Sequence, residues 1–234
     1  MQLLLLSSSR VNNSDYLAPY MPWVKQALQG INELLFIPYA GVSSSYDEYL
    51  LKVQQAFKST GIIVSSIHQH TNPKTALQNA QAICVGGGNT FHLLYQLYQL
   101  DIIDTIKERV TRGVPYIGWS AGANIAGISI KTTNDMPIIQ PASFDALGFL
   151  PCQLNPHYQN FSPEGFHGET RDMRLAEFMH LNPTTPIIGL PEGSALHCSD
   201  NKLTLLGTAG GYLFQGGTKT VLAENIVLSD MLAQ

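Results

Sequence analysis

The sequence predicts an α/β fold, a mostly parallel sheet covered by helices on both faces, with antiparallel hairpins in the C-terminal part. Three observations predict it. Short stretches such as Leu3-Leu4-Leu5-Leu6 and Ala82-Ile83-Cys84-Val85 are apolar at every position, as strands buried on both faces are. Segments with apolar residues at helical spacing lie between them, so that strands alternate with helices. After residue 130 the alternation gives way to proline-broken pieces and glycine pairs, the pattern of hairpins.

Taken in order, residues 3–8 read as the first strand. The opening Met1-Gln2 carries no basic residue ahead of the leucines, the apolar run is short, and Arg10 follows at once, so no secretory signal is expected. Residues 16–29 have helical spacing, with Asp15 as N-cap and Gly30 as the stop. Residues 34–39 form the second strand. Ser45 caps a helix to about residue 59, ended by Gly61. A third strand over 62–67, a short helix over 73–80 and a fourth strand over 82–85 lead into Gly86-Gly87-Gly88. Helices over about 90–100 and 101–112 precede the apolar stretch 114–117, then Gly118-Trp119-Ser120-Ala121-Gly122 and a buried helix through 123–128. Beyond residue 130 come strand-like pieces in 141–158, a helix over 170–180 and a strand over 186–190. Hairpins over 195–224 turn at Gly210-Gly211 and Gly216-Gly217, and the tail from Ala223 reads as helical. No linker or repeat interrupts the chain, which predicts one catalytic domain over 1–234 whose second half completes the sheet.

With 234 residues, 44% of them hydrophobic, the chain can bury a large core. Charged residues are 13% and the net charge is -4, which argues against nucleic-acid binding. No apolar run approaches the ~20 residues that span a bilayer, so no membrane partner is expected. Cys84, Cys152 and Cys198 show no paired spacing, which fits buried thiols in the cytoplasm.

A strand, a tight turn and a helix with Ser120 at the apex make the setting of a nucleophile elbow. Such a serine needs a base, a group that orients the base, and donors for an oxyanion. The N–H of Gly88, in a loop whose glycines let backbone approach a substrate, and the N–H of Ala121 are the candidate donors. His68 and His70 alternate near a strand end but lack a third ligand, so no metal is expected. His92, His180 and His197 fit ordinary packing. His157, after Asn155-Pro156 at a strand end, and His167, in Gly165-Phe166-His167-Gly168, are both candidate bases. Glu192, past the strand at 186–190, and Asp135, in a loop, are both candidate acids.

Gly86-Gly87-Gly88-Asn89-Thr90, Gly118-Trp119-Ser120-Ala121-Gly122-Ala123-Asn124, Asn155-Pro156-His157 and Leu190-Pro191-Glu192-Gly193 together resemble the peptidase E family of alpha-aspartyl dipeptidases, in order and over nearly the whole chain. The resemblance implies a flavodoxin-like fold similar to class I glutamine amidotransferases, with serine in place of their cysteine. It implies Ser120 as nucleophile, His157 as base and Glu192 as third member, with Asp135 as its rival. The order serine, histidine, acid differs from that of α/β-hydrolases. The family hydrolyses dipeptides with an N-terminal aspartate through an aspartyl-enzyme. The resemblance puts Arg171 on the substrate carboxylate and Asn89 on the substrate side. It names no residue for the substrate's amino group. It calls for a small peptide substrate, no cofactor and no obligate protein partner. The rival expectations are a cyanophycinase-like exopeptidase and a non-catalytic member of the same fold.

Overall fold

The four leucines of the first strand show how the molecule is layered. Side chains alternate across a strand, so Leu3 and Leu5 join one buried cluster while Leu4 and Leu6 join another on the opposite face. A run that is apolar throughout needs cover on both sides. The computed structural model, which describes residues 1–165 and 167–228, supplies that cover.

In chain order the first strands are β1 (Leu3–Leu6), β2 (Glu33–Ile37), β3 (Ile63–Ser66), β4 (Ile83–Val85) and β5 (Tyr116–Trp119). Then come β6 (Gln153–Pro156), β7 (Ile187–Leu190), β8 (Ala195–Ser199), β9 (Lys202–Leu206), β10 (Gly211–Gln215) and β11 (Thr218–Leu222). A seven-stranded sheet runs β3-β2-β4-β5-β1-β8-β9. Its first five strands are parallel, and β8 and β9 extend it antiparallel from β1.

One face is covered by α1 (Met21–Ala27) and α2 (Tyr46–Phe57). The other is covered by α3 (Pro73–Asn79), α4 (Thr90–Gln99), α5 (Ile103–Thr111) and α6 (Ala121–Asn124). Local chemistry sets several of these helix starts. Ser45 caps α2 in a reciprocal capping box with Glu48, and Asn72 and Asn89 accept from the backbones of Thr75 and His92 at the starts of α3 and α4. Each such cap satisfies an N–H that a helix leaves free, worth about 0.5–2 kcal/mol.

The second half departs from the sequence expectation. Only β8 and β9 join the first sheet. The strands β6, β7, β10 and β11 form a separate four-stranded sheet, ordered β11-β10-β7-β6, with β6 and β7 parallel and α7 (Arg171–Leu181) packed on it through Leu175 and Met179. A uniformly apolar strand reports burial on two faces, not which sheet receives it. The β8–β9 hairpin turns at Asp200-Asn201, with φ of 50° and 59°, the left-handed pair of a type I′ turn. Gly216-Gly217 does turn β10 into β11, but Gly210-Gly211 makes no hairpin, because β9 and β10 lie in different sheets.

Three boundaries also change. Asp15 caps nothing; Pro19 and Pro22 open a 3₁₀ turn (Ala18–Tyr20) and α1 instead. The helix after Ser120 is confined to α6, because the backbone is then drawn to 152, with Ile128 N–H donating to Cys152 O. The tail over 223–228 is not helical: Val227 bridges Thr204 and Leu228 N–H donates to Leu203 O. Residues 229–234 lie outside the described residues.

Close backbone approach decides two glycines. A Cβ on Gly118 would sit 2.2 Å from Gly122 O, and one on Gly122 would sit 2.2 Å from Val85 O. Gly118→Ala is therefore expected to lower stability by about 1–3 kcal/mol, read as a lower urea midpoint with an unchanged slope. An unchanged midpoint would contradict the contact.

Candidate active site

The site lies where the carboxyl ends of parallel strands from both sheets meet, the usual ligand side of open α/β sheets. Pairing of Leu6 with Trp119 and of Val85 with Gly118 sets Ser120 between the ends of β1 and β4. Pairing of Pro156 with Leu190 sets His157 beside the loop that carries Glu192. Ser120 has φ 54° and ψ -114°, an unusual backbone for a residue with a Cβ, and its N–H donates to Leu6 O at 3.1 Å. His157 has φ 52°.

Those two turns aim the side chains at one another. His157 Nε2 lies 3.0 Å from Ser120 Oγ, and its Nδ1 lies 2.8 Å from Glu192 Oε1. With Nδ1–H donating to the carboxylate, Nε2 is the free acceptor for the serine hydroxyl. The structure thus brings Ser120, His157 and Glu192 into one hydrogen-bonded chain. His167 is exposed in its loop and lines neither cavity at Ser120.

Asp135 is not the partner of His157. Its Oδ2 accepts from Thr90 N–H at 2.7 Å and from Thr90 Oγ1 at 2.5 Å, which turns it toward the start of α4. Asp135, the rival third member, is therefore not in that role here: both ring nitrogens of His157 are taken, by Ser120 Oγ and Glu192 Oε1, while Asp135 faces Thr90. Asn89 borders the larger cavity, but its Oδ1 caps α4 and its Nδ2 donates to Met136 O at 2.9 Å. Its side chain is committed to local structure.

Sequence reasoning missed the groups that hold these turns. The hydroxyl of the buried Ser7 donates to Leu190 O at 2.7 Å and accepts from His157 N–H at 3.0 Å. It ties the ends of β1, β6 and β7 together. Tyr20 OH accepts from Gly193 N–H at 2.9 Å, beside Glu192. Tyr49 OH donates to Gly87 O at 2.9 Å and accepts from Trp119 Nε1–H at 3.2 Å. Burial pushes the Tyr49 phenol up to about 12, so it stays neutral and keeps its proton to donate. The one signal available was position: Ser7 is the first polar residue after four buried leucines.

Ser120 borders two cavities. One, of about 700 Å³, is lined by Tyr16, Tyr49, Lys52, Gly88 and Trp119. The other, of about 240 Å³, is lined by Ala121, Asn124, Thr133, Asp135 and Arg171. A Cβ on Gly88, whose φ is 137°, would sit 2.1 Å from Ala40 O, so only glycine allows this loop to pass so closely. Among the described residues the N–H groups of Gly88 and Ala121 have no acceptor; that of Ala121 is one of those a helix start leaves free.

Arg171 opens α7 and is half-buried, with its guanidinium held below its ordinary pKa by burial and then by Arg174. The neighbouring acids are engaged elsewhere. Glu169 faces Arg174 at 3.7 Å, and Asp172 faces Lys219 at 2.8 Å and accepts from Tyr158 OH. Arg171 has no ion-pair partner among the described residues. His68, considered above for metal binding, lies against Ser66 and Asp47, and no three His, Cys, Asp or Glu side chains converge as metal ligands among the described residues.

The family model described as Peptidase family S51 matches residues 3–206. Peptidase E of Shewanella amazonensis is 50% identical over 230 residues, which cover 98% of each chain. Peptidase E of Shewanella oneidensis is 53% identical over 213 residues, 91% of this chain and 90% of that one. Among solved structures, a putative peptidase E protein from Listeria monocytogenes superposes with a TM-score of 0.65 at 24% identity, over 88% of this chain and 98% of that one. A peptidase from an acI-B1 Actinobacterium gives a TM-score of 0.73 at 18% identity, over 97% and 96%. These two likenesses bear on the fold.

The geometry predicts how Ser120 reacts with a fluorophosphonate, which labels activated serines. His157→Ala should slow labelling by about 10²–10⁴, the range a general base contributes. Glu192→Gln should give a smaller loss in the same direction. Labelling at the wild-type rate in His157→Ala would separate the imidazole from the hydroxyl's reactivity.

Proposed function

The chain belongs to peptidase family S51 and is a serine-type peptidase, and from that premise we propose that it hydrolyses dipeptides whose first residue is aspartate. The observation that carries the specificity is Arg171. A half-buried guanidinium with no ion-pair partner among the described residues lines the same cavity of about 240 Å³ as the serine. A planar fork of donors matches a carboxylate through two bonds, and the small cavity suits a short side chain. The reading of the chain as a non-catalytic member of its fold is set aside with the family assignment.

His157 takes the proton of Ser120 Oγ as it attacks the carbonyl of the first residue. The N–H groups of Gly88 and Ala121 receive the developing oxyanion; one such donor is worth about 10²–10³ in turnover. Protonated His157 then gives its proton to the leaving amine, and water hydrolyses the aspartyl-enzyme with His157 again as base. Glu192 holds the imidazole tautomer throughout. The larger cavity receives the leaving residue. Three cysteines buried as free thiols support a reducing compartment, the cytoplasm. No helix among the described residues is long and apolar enough to cross a membrane.

A panel of Xaa-Leu dipeptides tests the reading. Wild type should favour Asp-Leu over Glu-Leu by an amount set by one methylene, ~1–3 kcal/mol, and should reject Asn-Leu and Leu-Leu more strongly. Ser120→Ala should abolish hydrolysis. Arg171→Met should lower kcat/KM for Asp-Leu by about a hundredfold or more, since each hydrogen bond to a charged group is worth about 1.5–3 kcal/mol. Retention of the aspartate preference in Arg171→Met would remove that residue from the pocket.

A further inference from the structure

The cavity that contains Arg171 also contains a carboxylate, and the mechanism above makes no use of it. An amino acid carries its α-nitrogen and its β-carbon on the same Cα. A first residue with its side chain on Arg171 and its carbonyl at Ser120 has its α-ammonium two bonds from that side chain's first carbon, within reach of the same cavity of about 240 Å³. A cation removed from water needs acceptors, and an anionic one serves best.

Among the described residues Asp135 is the one carboxylate lining that cavity. Glu48, which lines the larger cavity, is engaged in capping α2, and Glu192 is engaged with His157. Asp135 is held firmly on one side only. Its Oδ2 accepts from the N–H and Oγ1 of Thr90, and from Thr133 Oγ1 at 3.3 Å. Its Oδ1 receives no hydrogen bond among the described residues.

A second polar residue lines the same cavity. Asn124 is 1% exposed, and its Nδ2 donates to Leu154 O at 2.7 Å. That bond fixes which end of the amide is the oxygen, and Oδ1 is then buried with no donor among the described residues. Asn124 Oδ1 is closed off from that cavity, which leaves Asp135 as its anionic acceptor.

We propose that Asp135 binds the α-ammonium of the substrate. This rests on the reading that an N-terminal aspartate occupies the cavity. The site then reads both charges of that residue: the ammonium against Asp135 and the carboxylate against Arg171. A blocked amino terminus, or an aspartate inside a longer chain, loses the first contact and leaves the Asp135 charge without a cation from the substrate. The free amino end, and with it exopeptidase action, is thereby selected.

The test compares an anilide that carries the amino group with a more reactive ester that lacks it, each referred to its own wild-type rate. One is α-aspartyl 4-nitroanilide. The other is the mono-4-nitrophenyl ester of succinic acid, which keeps the side-chain carboxylate and lacks the ammonium. Each is assayed with wild type, Asp135→Asn and Asp135→Ser, both of which retain an oxygen for Thr90. The ratio of kcat/KM for the amino-bearing substrate to that for the ester should fall at least thirtyfold in both variants, mostly through KM. An equal loss on both substrates would make Asp135 a support for α4 and overturn the proposal, as would no loss on the anilide. Failure of the underlying reading looks different: wild type would then show no preference for Asp-Leu over Leu-Leu.

Discussion

A single hydrogen bond, Ser120 Oγ to His157 Nε2 at 3.0 Å, spans two sheets, and the rest of the site is arranged to make it. Both residues have left-handed φ values, 54° and 52°, although neither is glycine. Such backbones cost about 1–3 kcal/mol each and persist only where the surroundings over-determine them. Here they do. Ser120 is held by Leu6 O at its N–H, by the paired ends of β1 and β4, and by the glycine contacts behind it. His157 is held by Ser7 at its N–H, and Tyr158 N–H donates to Leu190 O at 2.9 Å. Ser7 touches both the β7 end and the His157 turn, so one hydroxyl sets the gap between the sheets at the point where the bond must form.

That arrangement divides the surroundings of the serine. On one side is a roomy cavity with three aromatic side chains in its wall, on the other a small one with a guanidinium and a carboxylate. A peptide bond laid across Ser120 would put one residue in each. The small side can be strict, because a mismatched ligand would leave buried polar groups without partners. The large side can be tolerant where aromatic rings line it, because apolar contacts reject little.

Much of this was legible in the sequence. Uniform apolar runs, capping residues and the glycine-flanked serine are local signals, and β1 to β5, the cap at Ser45 and the elbow follow from them. The membership of β6, β7, β10 and β11 in a second sheet is not local, since nothing in an apolar tetrapeptide names its neighbours. The base and the acid could not be chosen for the same reason. His157 and His167 lie in similar loops, and it is the parallel register of Pro156 with Leu190 that carries one of them to the serine. Asp135 and Glu192 both follow turns, and only the fold shows that the first faces Thr90 and the second His157. Ser7, Tyr20 and Tyr49 act through single hydroxyls across the chain, with no motif around them.

Strand ends from two sheets thus converge on one serine, set up for acyl transfer. The most direct measurement is a crystal structure of the protein reacted with the α-aminoboronic acid analogue of aspartate. A tetrahedral boronate is expected on Ser120 Oγ, with one oxygen accepting from the N–H groups of Gly88 and Ala121 at about 2.7–3.1 Å and the inhibitor carboxylate on Arg171. An adduct whose boronate oxygen faces solvent, or a boronate seated away from Ser120, would contradict it.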